Sequence, residues 1–188
     1  MKNIIALLAL AAGTLALLAV ALDADPQEVA GNQPKGYVLK LGEGEVLNPD
    51  RIIKASPESG TQGSVMVLDR APADFTVGLH YHTEADEFFY ILAGRGTFRL
   101  NGEGIAIEPG DIIFVPAGQD HGFSVSPEQP LEMLVFLDRP GLAQDFRELH
   151  ALRAANPGPM TLDERNAIAR KYGTIYKELS GPRSFGPE

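Results

Sequence analysis

The 188-residue sequence contains no cysteine. That excludes disulfides, thiolate metal ligands, a cysteine nucleophile and a lipid-modified N-terminal cysteine. Positive charge is scarce: 16 Lys and Arg stand against 25 Asp and Glu, a formal net charge of −9. No basic patch is dense enough to reverse this, so nucleic acid and anionic membrane surfaces are disfavoured as partners. A Gly-x-Ser-x-Gly elbow is missing, which argues against a Ser-His-Asp hydrolase. Internal repeats are missing too, and the N-terminal leader is the one stretch of low complexity.

What is present describes a globular chain. The apolar fraction is 44% and the charged fraction 22%, ordinary values for a folded domain. The length suits one domain with a real core. The 20 Gly and 14 Pro are spread along the chain, as expected of short strands joined by tight turns.

The N-terminus reads as a targeting segment. Lys2 precedes an apolar run from Ile4 to Leu22 that passes through Ala19-Val20-Ala21 and ends at Asp23, Asp25 and Pro26. A basic start, an apolar stretch and a small-x-small site describe an export signal. The run is also close to the ~20 residues that span a bilayer, so an uncleaved N-terminal membrane anchor is the second reading and a buried helix the third. The expected location is periplasmic or extracellular. No twin-arginine pair is present, so export is expected before folding, with metal acquired outside the cytoplasm. The organisation is then residues 1–21 as signal or anchor, 22–36 as linker, 37–140 as an all-β barrel, and 141–188 as a helical extension and tail.

Ten strands are expected: Tyr37–Leu41, Arg51–Ala55, Ser64–Asp69, Phe75–His82, Glu87–Ala93, Gly96–Leu100, Gly104–Ile107, Ile112–Val115, His121–Ser126 and Leu131–Leu137. Ala93-Gly94-Arg95-Gly96 and Asn101-Gly102 are hairpin turns. Pro109-Gly110-Asp111 and Pro116-Ala117-Gly118 combine a proline-fixed φ with glycine. Such spacing predicts a sandwich or barrel. The period then changes. Leu142, Phe146, Leu149 and Leu152 recur at helical spacing, which predicts a helix over Gly141–Asn156 that Pro157-Gly158-Pro159 stops. Thr161 and Glu164 form a capping box for a second helix, with Leu162, Ile168 and Tyr172 as its buried stripe and Gly173 as its cap. These helices are expected outside the barrel or over one mouth.

The chemistry concentrates in Gly78-Leu79-His80-Tyr81-His82-Thr83-Glu84-Ala85-Asp86-Glu87. Alternate residues of a strand share a face, so His80 and His82 project together. By the same alternation Thr76 and Gly78 share their side, and Phe75, Val77, Leu79 and Tyr81 take the other. Glu87 opens the next strand, where an antiparallel neighbour brings its carboxylate beside the imidazoles. The pair alone does not decide the matter, since a strand histidine is commonly a surface or core residue. Glu84 and Asp86 read as polar hairpin residues. A second segment, Gly110 to His121, places an apolar strand between two proline turns and ends on a histidine.

Together the two segments resemble the cupin family. Its first motif, G-x5-HxH-x3,4-E-x6-G, is matched by His80, His82, Glu87 and Gly94. Its second, G-x5-PxG-x2-H-x3-N, is matched by Gly110, Pro116, Gly118 and His121. Asp74 replaces the leading glycine of the first, and Val125 the final asparagine of the second. The resemblance implies a double-stranded β-helix, or jelly-roll, barrel with two C-terminal helices. It also implies His80, His82, Glu87 and His121 as ligands of one divalent transition metal ion. Three imidazoles and a carboxylate suit Fe, Mn, Ni, Co, Cu or Zn and are too nitrogen-rich for Mg or Ca.

Phe89, Phe98, Phe114, Phe123, Met133 and Phe136 lie in or beside the strands around the site. Alternation from Glu87 points Phe89 and Ile91 inward, and alternation from His121 points Phe123 and Val125 inward. Phe89, Phe123 and Met133 are the expected substrate contacts. The resemblance implies a quercetinase-like, metal-dependent dioxygenase of an aromatic or enolisable small molecule, with Glu87 as both ligand and proton acceptor. The alternatives are a non-catalytic extracytoplasmic protein that binds a small molecule or metal, and a sugar or keto-acid isomerase or lyase. Arg95 and Arg99 are candidate anion contacts, although Arg99 reads as a solvated strand residue. Gln119 and Asp120 read as turn residues, and His150 as a helix-face residue. Small cupins pair through their sheets, so a homodimer is expected.

Overall fold

The computed structural model describes residues 35–181. The leader over 1–21 and most of the 22–36 linker lie outside them, as does the end of the tail. Among the described residues no helix is long and apolar enough to cross a membrane.

Among the described residues, eleven strands form two antiparallel sheets. They are β1 (Glu45–Asn48), β2 (Arg51–Ala55), β3 (Val65–Ala71), β4 (Thr76–His82), β5 (Glu87–Ala93), β6 (Gly96–Leu100), β7 (Glu103–Ile107), β8 (Ile112–Val115), β9 (His121–Val125), β10 (Leu131–Leu137) and β11 (Thr174–Tyr176). One sheet has the order β1-β2-β3-β10-β5-β8 and the other β11-β4-β9-β6-β7. From β3 to β11 consecutive strands alternate between the sheets, apart from the β6–β7 hairpin, which stays within one. The result is the all-β double-stranded β-helix expected from the sequence, with two helices, α1 (Gly141–Ala155) and α2 (Leu162–Ala169), after it.

Burial follows the two-residue period. In β10, Leu131, Met133, Val135 and Leu137 are buried while the residues between them are half-exposed. With Val65, Val67, Phe89, Ile91, Phe98 and Phe123 they fill the space between the sheets. Thr161 caps α2 as its sequence predicts: its hydroxyl accepts the Glu164 N–H at 3.2 Å, and Glu164 accepts the Thr161 N–H at 2.8 Å. Ile168 is buried, but Leu162 and Tyr172 are only half-buried. Arg165, Asn166 and Ala169 make up most of the buried face instead. Gly173, at φ 77°, ends a short 3-10 turn that extends α2.

Three local expectations differ. Residues 37–41 form no strand; Lys54 Nζ donates to the carbonyls of Lys40, Leu41 and Glu43. The strand that pairs with β2 is β1 instead, across the Asn48-Pro49-Asp50-Arg51 turn, where the Asp50 N–H donates to Asn48 Oδ1 at 2.9 Å. The third difference is β11, which pairs with β4.

Candidate metal centre

The site is built where β4, β5 and β9 meet. His80 lies opposite His121 in the β4–β9 pairing. Glu87 begins β5, after the short turn that follows His82. All four side chains are buried, His121 completely. One ligand atom from each lies within 4.8 Å of the others. Glu87 Oε2 is 3.0 Å from His82 Nε2 and 2.8 Å from His121 Nε2. Donors about 2.1 Å from one ion are roughly 3.0 Å apart at right angles and roughly 4.2 Å apart when opposite. The two short edges therefore already match a coordination shell, and the widest separation needs to close by at most about 0.6 Å.

Charge in the cluster is uneven. Burial opposes ionisation of Glu87, but His82 and His121 more than offset it and hold the carboxyl far below its usual range. Burial, with His121 and His82 adding, lowers His80 well below an ordinary histidine. Burial opposes a charged His121 too, yet the Glu87 carboxylate outweighs it and raises that group. The approach of His121 Nε2 to Oε2 is not aligned as a hydrogen bond, so this buried nitrogen has no hydrogen-bond partner. A buried, partnerless nitrogen facing a carboxylate and two further imidazoles fits a divalent cation. It does not fit a site satisfied by protein groups alone.

Above the cluster lies a cavity of about 830 Å³. His80 and Glu87 reach its wall, together with Phe89, Phe123 and Met133, the three residues expected from the sequence to meet a substrate. Phe98 is buried behind them and lies parallel to His121 at 6.2 Å. Leu142, Phe146 and Leu149 of α1 line the same space. Of the two placements left open for the helices, α1 takes the one over the mouth.

Two expectations about the walls are corrected. Phe114 and Phe136 lie on the outer face of the larger sheet, where Phe88 sits 4.8 Å from Phe114 and 6.1 Å from Phe136. Both share parity with Phe88, not with Phe89. The second correction concerns β4. Between Val77 and His80 the strand carries one residue more than β9, a β-bulge. The extra residue reverses the alternation below His80. Phe75 and Val77 therefore line the cavity, and Thr76 does not. Gly78 sits at the bulge with the 178–179 segment pressed on it; a β-carbon there would stand 2.2 Å from the Glu178 carbonyl oxygen.

The other candidates have structural partners. Arg99 donates to Glu178 at 2.7 Å and Arg95 pairs with Glu108. Asp120 pairs with Lys177 at 2.5 Å, while the Gln119 carbonyl meets His121 Nδ1 at 3.0 Å. Asp86 accepts the Ala117 N–H at 2.9 Å and ties the two turns beside the site. His150 is exposed and lines the outer cavity, away from the cluster. Sequence reasoning missed Thr174 and Tyr176 of β11. Thr174 Oγ1 lies 2.9 Å from His82 Nδ1. Tyr176 stacks on His80 at 4.6 Å with planes 10° apart. Nothing in Thr174-Ile175-Tyr176 marks it as part of the site; only pairing with β4 does.

Comparison with known proteins agrees with the geometry. Residues 66–137 match the Cupin domain family. Over 99 residues the chain is 35% identical to an oxalate-binding protein of Thermotoga maritima, a match that covers 53% of this chain and 80% of that protein. The chain is a cupin. It is also 31% identical over 113 residues to quercetin 2,3-dioxygenase of Bacillus subtilis, which covers 58% of the chain but 33% of that enzyme. Among solved structures, a predicted oxalate decarboxylase of Thermotoga maritima aligns at 29% identity with a TM-score of 0.45, over 47% of this chain and 78% of that one. The helices and β11 lie beyond the segment that matches the family. In this cupin the motif position held by Asp74 keeps a left-handed backbone, φ 60°, a conformation that Asp tolerates better than most residues with a side chain.

Proposed function

We propose that this cupin binds one divalent transition metal through His80, His82, Glu87 and His121 and acts as a dioxygenase on an aromatic or enolisable small molecule. The observation that carries this reading is the cavity. Its lining combines Phe75, Val77, Phe89, Phe123 and Met133 with Arg51, Asp69, His150 and Arg153, and it reaches the cluster at His80 and Glu87. A flat apolar substrate fits the apolar part of these walls, and its acidic hydroxyl would meet the one carboxylate of the cluster. Glu87 is ionised there, so it is in the form that accepts a proton, and a bound ion that takes the His82 and His121 nitrogens removes the contacts that weaken it as a base. A bound redox-active ion supplies Lewis acidity and electron transfer to oxygen. The likeness to quercetin 2,3-dioxygenase supports the reading and covers one part of that enzyme.

An oxygen electrode tests it, with protein loaded with Fe(II) or Ni(II) and offered flavonols and catechols. Substrate-dependent oxygen uptake is expected, and Glu87→Gln should lower it by roughly 100-fold or more. Tight ligand binding with no uptake from any catechol or enediol would move the protein to a second reading, a non-catalytic binding protein. That reading draws on the oxalate-binding relative.

The same proposal includes a homodimer. The outer face of β5, β8 and β10 exposes Phe88, Tyr90, Ile112 and Phe114, and a twofold axis would bring two such faces together.

A further inference from the structure

The three imidazoles of the cluster are oriented by different means. His80 Nδ1 meets the Gly78 carbonyl at 2.9 Å, and His121 Nδ1 meets the Gln119 carbonyl at 3.0 Å. A carbonyl cannot donate, so both imidazoles carry a proton on Nδ1 and leave Nε2 for the centre. Each carbonyl lies two residues back along the same chain segment. Local backbone therefore suffices for these two.

His82 has no such local acceptor. Its Nδ1 meets Thr174 Oγ1 at 2.9 Å, 92 residues further along. Thr174 lies directly across from His82 in the β11–β4 pairing, and Tyr176 directly across from His80. Opposed residues of an antiparallel pair share a face, which brings the threonine hydroxyl to one imidazole and the tyrosine ring to the other. Thr174 is 1% exposed, so no water competes for its hydroxyl.

β11 is itself held from behind. Asn166 Nδ2 donates to the Tyr176 carbonyl at 2.9 Å, and the Tyr176 N–H donates to Asn166 Oδ1 at 2.8 Å. Arg165 donates to the Tyr176 hydroxyl at 3.1 Å and to both oxygens of Asp145. Support runs from α1 through α2 to β11 and ends on the imidazoles.

A hydroxyl differs from a carbonyl because it also donates. His82 Nε2 lies 3.0 Å from Glu87 Oε2. With no ion bound, Nε2 can keep the proton for Glu87 while the Thr174 hydroxyl donates to Nδ1. With an ion on Nε2, the proton belongs on Nδ1 and the hydroxyl accepts it. Thr174 satisfies either tautomer by rotating one bond.

We propose that Thr174 is a positioning residue of the metal centre: it receives the Nδ1–H of His82 and thereby aims Nε2 at the ion. The C-terminal extension then completes the ligand set of the barrel and does more than roof it. This assignment rests on the metal-binding reading above.

The test compares full-length wild type, Thr174→Val and Thr174→Ser. Valine keeps the β-branched shape without the hydroxyl, and serine keeps the hydroxyl. Co(II) affinity is measured by competition with a chromogenic chelator, and the visible spectrum of the Co(II) form reports its coordination. Thr174→Val should bind Co(II) roughly 10- to 100-fold more weakly, with shifted bands, as losing a partner to a ligating histidine does. Thr174→Ser should stay close to wild type. Valine binding within twofold of wild type with an unchanged spectrum overturns the assignment. So does serine binding as weakly as valine, because that would make the role one of packing. Wild type that binds no Co(II) overturns the metal-binding reading and this assignment with it. A measurement on wild type alone covers a valine variant that fails to fold. In the Zn(II) form, nitrogen-15 spectra should show His82 protonated on Nδ1, and an unprotonated Nδ1 would also overturn the assignment.

Discussion

A carboxylate lies 2.8 and 3.0 Å from two imidazole nitrogens at the centre of the site. Glu87 stays ionised, because the two histidines hold it far below its usual range. His80 stays neutral, with its pKa lowered by burial and by its histidine neighbours. His121 is the group that Glu87 raises above its ordinary 6.5. In the metal-free cluster His121 therefore takes a proton more readily than an ordinary histidine, and an incoming cation must compete with that proton. The sign for stability follows: the folded value exceeds the unfolded one. His121 thus adds stability below about pH 6.5 that fades as pH rises through its raised value. For metal the sign reverses. Affinity for Co(II) should tighten by close to tenfold per pH unit up through 6.5 and level off only above it. A chelator-competition series over that range checks this; an affinity flat with pH would remove the proton from His121. At this scale the sequence was informative where motif spacing names a residue, as for His80, His82, Glu87 and His121. It was silent on Thr174 and Tyr176, because a threonine and a tyrosine near a C-terminus have no spacing that ties them to a histidine 92 residues away.

Among the elements, the long strands were legible because one face of each is buried and the alternation shows. β3, β5, β6, β8 and β10 lie where the pattern puts them. The failures share a cause. β1 and β11 are four and three residues long, too short for a period to emerge, and each exists because a neighbour offers it an edge; β8 is as short as β1 but is marked by the proline turns on both sides of it. The bulge in β4 costs one residue of register and reverses which side chains face the cavity. Its one local sign is Gly78, since a glycine inside a strand marks a bulge or a close backbone approach. The helices expose a further point, because α2 is anchored by charge: its buried Arg165 pairs with Asp145 of α1, which is 0% exposed. Removing one partner leaves a buried charge, so Asp145→Asn should destabilise the protein by about 3–5 kcal/mol, read as a lower urea midpoint. The double replacement Asp145→Leu with Arg165→Met should recover much of that loss. If the single variant unfolds at the wild-type midpoint, the pair does not anchor the extension.

At the scale of the whole molecule, the two sheets treat their outer faces differently. The smaller sheet has the 177–181 strap against β4, where the N–H groups of Lys177 and Glu178 donate to the Leu79 carbonyl and Gly181 donates to Thr76. The larger sheet turns its apolar rows outward. Phe136, Phe88 and Phe114 stand in register across β10, β5 and β8, and Leu134, Tyr90 and Ile112 form the next row. Phe114 is 47% exposed and Ile112 71%. A contiguous aromatic and aliphatic face of this kind marks an interaction surface in a soluble protein. Its two rows are uncharged, although the chain carries a net charge of −9. A second copy presents the same uncharged rows, so the face meets its own kind without bringing like charges together. A stable pair needs roughly 800 Å² per partner, which a face three strands wide can supply. The expected mass in solution is that of a dimer. Phe114→Asp places a charge in the middle of the contact while leaving the opposite, core-facing side of β8 untouched, so it should give a folded monomer with metal affinity within a few-fold of wild type. Light scattering coupled to size-exclusion chromatography reads the result. A wild-type monomer, or a Phe114→Asp variant that stays dimeric, would mean that this face is not where the copies meet.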